Sequence, residues 1–421
     1  MKRVLFITYF WPPSGKASLH LPLDIIRHLP KDEIEPVILT VENETFTQKD
    51  ESLLSKVDPN WKVIKSKALE PFDIYRMFTG KTKEEKLVSS ETISTENKSI
   101  THKISLWIRL NLFVPDARVG WYFTAVKAAS DYIKKNKVDA IVTNGPPHST
   151  HLIGLKLSKL FSIPHFPVFI DPWVDIAYYN NLKRSTPAIN LDNYFERTVL
   201  QNAKQVVFVT RSLEEDYHKK YNFLKDKTNV LYWGYDENSF KDVDFTKTEK
   251  KEKTIVNAGN MFAFQNPKNL WRQIKIENDK GNKIKIKFIG TVDIEVLNFL
   301  YETGLKDFVE VTGFLPYQEM IKQILAADIL LVCSSEPRHV PGKLFEALRT
   351  GNPIISFGNN NTEVKQIIND AGAGMMFGYD ENVSSFFEEL DKIKPDQSYV
   401  RQFDRAEISN QFSAIIAGLL D

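Results

Sequence analysis

The chain is poor in cysteine: Cys333 stands alone among 421 residues. No disulfide can form within it, which fits a reducing compartment. The thiol ends an apolar run from Ile329, which marks it as a buried small hydrophobe rather than a nucleophile. There is also no excess of charge. Lys+Arg number 55 against Asp+Glu 54, a net +1, so no general polyanion-binding surface and no nucleic-acid partner is expected. No run of about 18 apolar residues is present, so no transmembrane helix is expected. The opening Met1-Lys-Arg-Val-Leu-Phe-Ile-Thr-Tyr lacks the apolar length and cleavage site of a signal peptide and reads as a strand. The expected location is cytoplasmic. No Cys/His ligand spacing, no G-x-G-x-x-G and no internal repeat appears, so neither a metal nor a dinucleotide is indicated.

What is present suits two domains: a length beyond one typical domain and an ordinary 42% of apolar residues. Apolar runs at Val4 to Tyr9, Glu35 to Thr40, Val138 to Thr143, Phe166 to Ile170 and Gln205 to Thr210 read as parallel strands with helices between. After the charged, breaker-poor segment Lys241 to Lys253 a second series begins. Its strands are Thr254 to Gly259, Lys285 to Gly290, Val309 to Val311, Ile329 to Cys333, Pro353 to Phe357 and Gly374 to Phe377. Strands alternating with helices twice over predict two doubly wound α/β domains. Domain limits are placed at 1–242 and 243–398, with a final helix from Val400 to Leu420 in the segment 399–421. Ser149 is expected to cap a helix from His151 to Phe161. Lys81 to Lys103 is polar and almost without aromatics, so it is expected to be a mobile loop. Residues 103–123 are its opposite, with Trp107, Phe113, Trp121, Tyr122 and Phe123 among Lys103, Arg109 and Arg118. They suit a core helix, or weak peripheral contact with a membrane surface.

The densest chemistry lies in Arg338-His-Val-Pro-Gly-Lys-Leu-Phe-Glu346, ended by Gly351-Asn-Pro353. A strand precedes it, Pro341 can open a helix, and Gly351 can close it. Free backbone N–H groups beside Lys343 form an anion site, and Glu346, one turn on, suits a sugar diol. Pro341-Gly342-Lys343-Leu344-Phe345-Glu346 with Gly351-Asn-Pro353 resembles the donor-site signature of family 4 glycosyltransferases. These are retaining enzymes of the GT-B fold, two Rossmann-like domains facing a central cleft. The resemblance implies that the helix N-terminus holds the nucleotide-sugar diphosphate and that Glu346 binds ribose. It also implies that the final helix crosses back to the first domain. The family's second glutamate, eight residues earlier, is here Arg338.

The rest of the chain carries weaker likenesses in the same order. Trp11-Pro-Pro-Ser-Gly15-Lys16, at a strand's carboxyl end, is similar to the family's glycine-rich loop facing the donor phosphates, with Lys16 in the place of a second glycine. Gly145-Pro-Pro-His148 and Asp171-Pro-Trp173 resemble one subgroup, in which an arginine commonly stands where Ile170 does. The resemblance implies Asp171 beside the reacting centre; His148 is its companion candidate and is equally suited to a backbone-bonded loop histidine. Trp233-Gly-Tyr-Asp236 resembles the interdomain crossing. Gly259 and Asn260 open the donor-domain loop, where Lys268 is the candidate for the family's diphosphate-binding lysine and Gln265 is a departure. Together these imply retaining transfer of a sugar from a nucleotide-sugar donor, without metal or other cofactor. The acceptor would be a glycan or lipid-linked, in cell-surface polysaccharide biosynthesis, with the enzyme cytoplasmic and in part on the inner membrane face. The alternatives are a non-catalytic GT-B protein that binds a nucleotide or glycan, and a GT-B sugar-nucleotide epimerase.

Overall fold

The computed structural model describes residues 1–46, 48–68, 100–176, 182–241, 243, 252–334 and 336–418. The stretch expected to form a mobile loop, 81–103, lies outside the described residues as far as 99; residues 100–103 belong to a helix. Most of the expected linker also lies outside them. The chain divides into two compact units. One comprises residues 1–209, 213–231 and 409 onward, the other 210–212 and 232–408.

The first unit runs β1 (Lys2–Ile7), α1 (His20–His28), β2 (Ile34–Val41), β3 (Lys62–Ser66), α2 (Ile100–Leu112), α3 (Trp121–Ile133) and β4 (Ala140–Gly145). It continues with α4 (Ser149–Phe161), β5 (His165–Phe169), α5 (Thr186–Asn202), β6 (Val206–Phe208), α6 (Arg211–Lys220) and β7 (Thr228–Val230). The sheet order is β3-β2-β1-β4-β5-β6-β7, all parallel. Val4, Leu5, Phe6 and Ile7 are buried, as a central strand covered on both faces requires. β3 has no counterpart among the expected strands. Its Lys62-Val-Ile-Lys-Ser pattern is short and half polar, which suits an edge strand solvated on one side.

The second unit runs α7 (Glu237–Lys241), β8 (Lys253–Ala258), α8 (Lys268–Asp279), β9 (Ile284–Ile289), α9 (Ile294–Glu302), β10 (Val309–Gly313), α10 (Tyr317–Leu325) and β11 (Ile329–Cys333). Then follow α11 (Gly342–Thr350), β12 (Ile354–Phe357), α12 (Thr362–Asp370), β13 (Gly374–Phe377), α13 (Ser384–Glu389), α14 (Gln397–Val400) and the first turn of α15 (Arg405–Ala417), whose remainder belongs to the first unit. Its parallel sheet has the order β10-β9-β8-β11-β12-β13. Each sheet is therefore doubly wound, and its strand order reverses between β1 and β4 in one and between β8 and β11 in the other. Open α/β sheets bind ligands at the carboxyl ends of strands beside that reversal.

The final helix differs from the single run expected. Asp404 is extended and its carboxylate accepts the Ala406 N–H at 3.1 Å, so α14 stops and α15 starts afresh. From residue 409 the chain packs in the first unit. Ser409 Oγ donates to the Ile25 carbonyl at 2.7 Å, and Phe412 lies 6.3 Å from Phe6.

Candidate functional site

In the second unit, α11 starts at the carboxyl side of β11. Pro341 is its extended N-cap, and Gly351, at φ 73°, closes it in the left-handed region where glycine is favoured. Leu344, Phe345, Ala347 and Leu348 are buried, which fixes the helix against the sheet. Lys343 and Glu346 lie one turn apart on the remaining flank and line one small cavity with Val256, Ala258 and Leu330. Lys343 Nζ donates to Asn257 Oδ1 at 2.9 Å, near the end of β8. Among the described residues no carboxylate pairs with it. Burial lowers the lysine pKa, so the cation is held in surroundings that favour an incoming anion as its partner. Gly342 packs against the Trp233 indole, and a Cβ there would stand 3.0 Å from it. Gly259, at φ +102°, turns the chain beyond β8 beside the Lys343 stem.

Glu346 is half-buried, and its Oε1 accepts the Tyr317 hydroxyl at 2.7 Å. Burial raises its pKa, opposed by that hydrogen bond and by the charge of Arg405. Leu344, which the donor-site signature places between Lys343 and Glu346, has its side chain fully in the core, so its place in the motif is a packing one. Arg338 stands in the loop before α11, 3.5 Å from Glu336. Asn361 pins that loop by donating to the carbonyls of Glu336 and His339 at 3.1 and 2.8 Å. Asn260 accepts the Thr291 hydroxyl at 2.8 Å. Lys268 lies on α8 with Nζ 5.4 Å from the centre of the Phe299 ring of α9. Gln265 is buried and donates to the Cys333 carbonyl at 3.4 Å. Cys333 is buried, which pushes its thiol up to about 11. Lys343 and Glu346 are thus brought together, while Lys268 is committed to an aromatic ring.

In the first unit the loops after β1 and β4 lie at the strand reversal. Gly15 N–H donates to the Gln48 carbonyl at 2.9 Å, with the Gln48 side chain where a Cβ would go; Lys16 is half-buried beside it. The cap expected of Ser149 is supplied from elsewhere. The helix begins at Ser149 itself, whose N–H and hydroxyl donate to the Asp116 carboxylate at 2.8 and 3.0 Å. The N-terminus of α4 is therefore closed by the protein's own anion, although burial raises the Asp116 pKa. His148 is buried and stacked on Trp173 at 5.1 Å and 7°. Burial lowers its pKa to about 3, so the ring is neutral. Behind it Thr143 Oγ1 bridges His151 and His165, at 2.7 Å from each.

Asp171 lies two residues beyond the end of β5, half-buried, ahead of a firmly held Trp173. The Trp173 indole donates to Asp192 at 2.6 Å, and its backbone N–H donates to the Tyr217 hydroxyl at 3.0 Å. Asp192 pairs with Arg184 at 2.6 Å, both buried, yet desolvation still lifts its pKa to about 6. The Asp-Pro-Trp motif is thus an anchor for the loop that presents Asp171. The segment 103–123 splits. Trp121 is 1% exposed and donates to Ser66, whereas Trp107, Leu112 and Phe123 are 51%, 63% and 68% exposed.

Asn257, Tyr317 and Asp116 carry the polar contacts of these sites and were not singled out from sequence. Each lies far along the chain from the residue it serves, and no motif marks it. Among the described residues no group of three His, Cys, Asp or Glu side chains is placed to hold a metal, and no helix is long and apolar enough to cross a membrane.

Residues 239–409 match the model described as glycosyl transferases group 1, and residues 93–239 that described as glycosyltransferase family 4. No curated protein matches the chain in sequence. Solved structures match along the whole length. A glycosyltransferase from Rickettsia africae is 15% identical with a TM-score of 0.63, covering 100% of this chain and 99% of that one. Anabaena Alr3699/HepE, in complex with UDP, is 12% identical with a TM-score of 0.63, covering 99% and 100%. The lipopolysaccharide outer core galactosyltransferase WaaB is 13% identical with a TM-score of 0.58, covering 99% of each.

Proposed function

We propose, from the premise that this chain is a GT-B glycosyltransferase of the group 1 and family 4 kind, that it moves a sugar from a nucleotide-sugar donor to a glycan or lipid-linked acceptor. Transfer proceeds with retention and serves cell-surface polysaccharide biosynthesis. One observation carries the reading. Lys343, a cation without a carboxylate partner among the described residues, stands at the open N-terminus of α11, one turn from Glu346. A departing diphosphate needs N–H donors and a positive charge fixed in advance, and this helix end supplies both. Glu346 accepts hydrogen bonds from the ribose hydroxyls. The second unit is the donor side, and the first, with Gly15, Lys16 and Asp171, the acceptor side. His148 enters as a neutral ring. No metal takes part. HepE was solved with UDP and with UDP-glucose, which makes uridine donors the first to try. A membrane-bound acceptor would draw the enzyme to the inner membrane face through exposed Trp107, Leu112 and Phe123, weakly and in a salt-sensitive manner.

The test is a thermal-shift screen of nucleotide sugars, since a ligand that binds the folded state alone raises stability by mass action. One donor should stabilise the protein, and nucleoside diphosphate should then appear only when acceptor is added. Release without acceptor, or interconversion of the sugar, would replace transfer by hydrolysis or epimerisation. No stabilisation by any donor would overturn the reading.

A further inference from the structure

We propose that Tyr317 is the positioning residue for Glu346: it fixes one carboxylate oxygen so that the other is presented to the ribose of the bound nucleotide. This deepens the donor-site reading above and rests on it. Tyr317 is the first residue of α10, directly after the extended N-cap Pro316. The next turns of that helix bury Ile321 and Ile324 in the core that also holds Leu344, Phe345 and Leu348 of α11. Both partners are therefore carried by helices locked into one core, and the hydroxyl has little freedom in where it points. It donates to Glu346 Oε1 at 2.7 Å. Among the described residues no other hydrogen bond reaches Glu346, so Oε2 keeps its full accepting capacity. Tyr317 is also 40% exposed, so the pair is reachable from solvent and is not a sealed core contact.

A carboxylate on a long side chain loses rotamer freedom when it binds a diol, and a hydroxyl that has already fixed it removes that cost beforehand. Tyr317 thus acts through Glu346 and on the ribose alone. The phosphates are met by Lys343 and the helix end.

Calorimetry with UDP and its 2′,3′-dideoxy form, or the same pair for whichever base the screen selects, separates these roles. Wild type should prefer the ribose form. Tyr317→Phe should weaken that form about tenfold, as expected for a hydrogen bond to a charged group, and leave the dideoxy form unchanged. In a Glu346→Gln background the same substitution should cost almost nothing more. Equal losses for both nucleotides would make Tyr317 a general packing residue and overturn the proposal. So would an unchanged ribose affinity, or losses at 317 and 346 that simply add. If wild type binds both nucleotides equally, the ribose role of Glu346 itself fails, a result distinct from failure of Tyr317. A Tyr317→Phe protein too unstable to titrate is replaced by Tyr317→Leu, which is apolar and carries no side-chain donor, and must give the same ribose-only loss.

Discussion

The two units each place a helix at the carboxyl end of a strand beside the reversal of strand order, and they treat its N-terminus in opposite ways. At α4, Asp116 accepts the first N–H and the Ser149 hydroxyl, so the positive end of the helix is neutralised from within. At α11, the side chain beside the first N–H groups is Lys343, held by the neutral amide of Asn257. The first arrangement stabilises a loop, and the second leaves an unmet demand for negative charge. The fold places a helix N-terminus at each reversal; the side chains close one with a carboxylate and leave the other without a side-chain cap. A buried neutral histidine group completes the contrast, because it belongs to the closed unit only.

The largest effect expected from this difference is on acid stability. His148 and His165 have folded pKa values lowered to about 3, and that of His151 is lowered too, all by burial. Stability from neutral histidines is full above their unfolded pKa of about 6.5 and is lost as pH falls toward the folded values. Each group can contribute up to about 1.4 kcal/mol per pH unit. Asp192 works against this: its folded pKa, about 6, is raised, so its contribution declines as pH rises from about 4 to 6. Asp116 and Glu196, likewise raised by burial, oppose the histidines in the same sense; the expectation is that the three histidines outweigh these three carboxylates. Thermal unfolding between pH 7 and 4 should show the first unit failing first, and His165→Gln should flatten the dependence. A pH-independent melting point would remove the histidines from the contrast.

Next comes Lys343→Ala, which should lower nucleotide-sugar affinity about 100-fold (roughly 2–3 kcal/mol) while the protein stays folded. Affinity kept in calorimetry would mean that the open helix end is not the diphosphate site. Asp116→Ala should do the reverse, costing about 1–2 kcal/mol of stability through the lost cap and leaving donor affinity alone. A donor affinity that fell with Asp116 would show that the closed end also handles ligand. The smallest effect is reserved for Lys268→Ala. With its ammonium over Phe299, the change should stay within about 0.5 kcal/mol in affinity and stability. A loss comparable to that of Lys343 would give the diphosphate a second cation.

Much of the fold was legible because central parallel strands are continuous apolar runs. Ile329–Cys333 and Ile354–Phe357, both internal to the second sheet, fall within the runs their sequence marks. Lys62–Ser66 did not announce itself, since an edge strand is half polar and its apolar residues are too few to count against a loop. The final helix was misread as one piece because apolar periodicity continues across Asp404, and only the local cap reveals the break.

For the site, the sequence by itself determined the helix that bears Lys343 and Glu346, because Pro341, Gly351 and Pro353 bound it by local backbone chemistry. It also determined that these two side chains share a flank, which helical spacing alone requires. It could not decide what meets them. Asn257 lies 86 residues from Lys343, and Tyr317 lies 29 from Glu346, on other elements. Nor could it decide that α4 would be closed, since Asp116 reaches Ser149 from 33 residues away. Such pairings depend on how strands are ordered in a sheet and helices laid on it. Short-range periodicity carries no information about either, and so tertiary structure chose which helix end was left open.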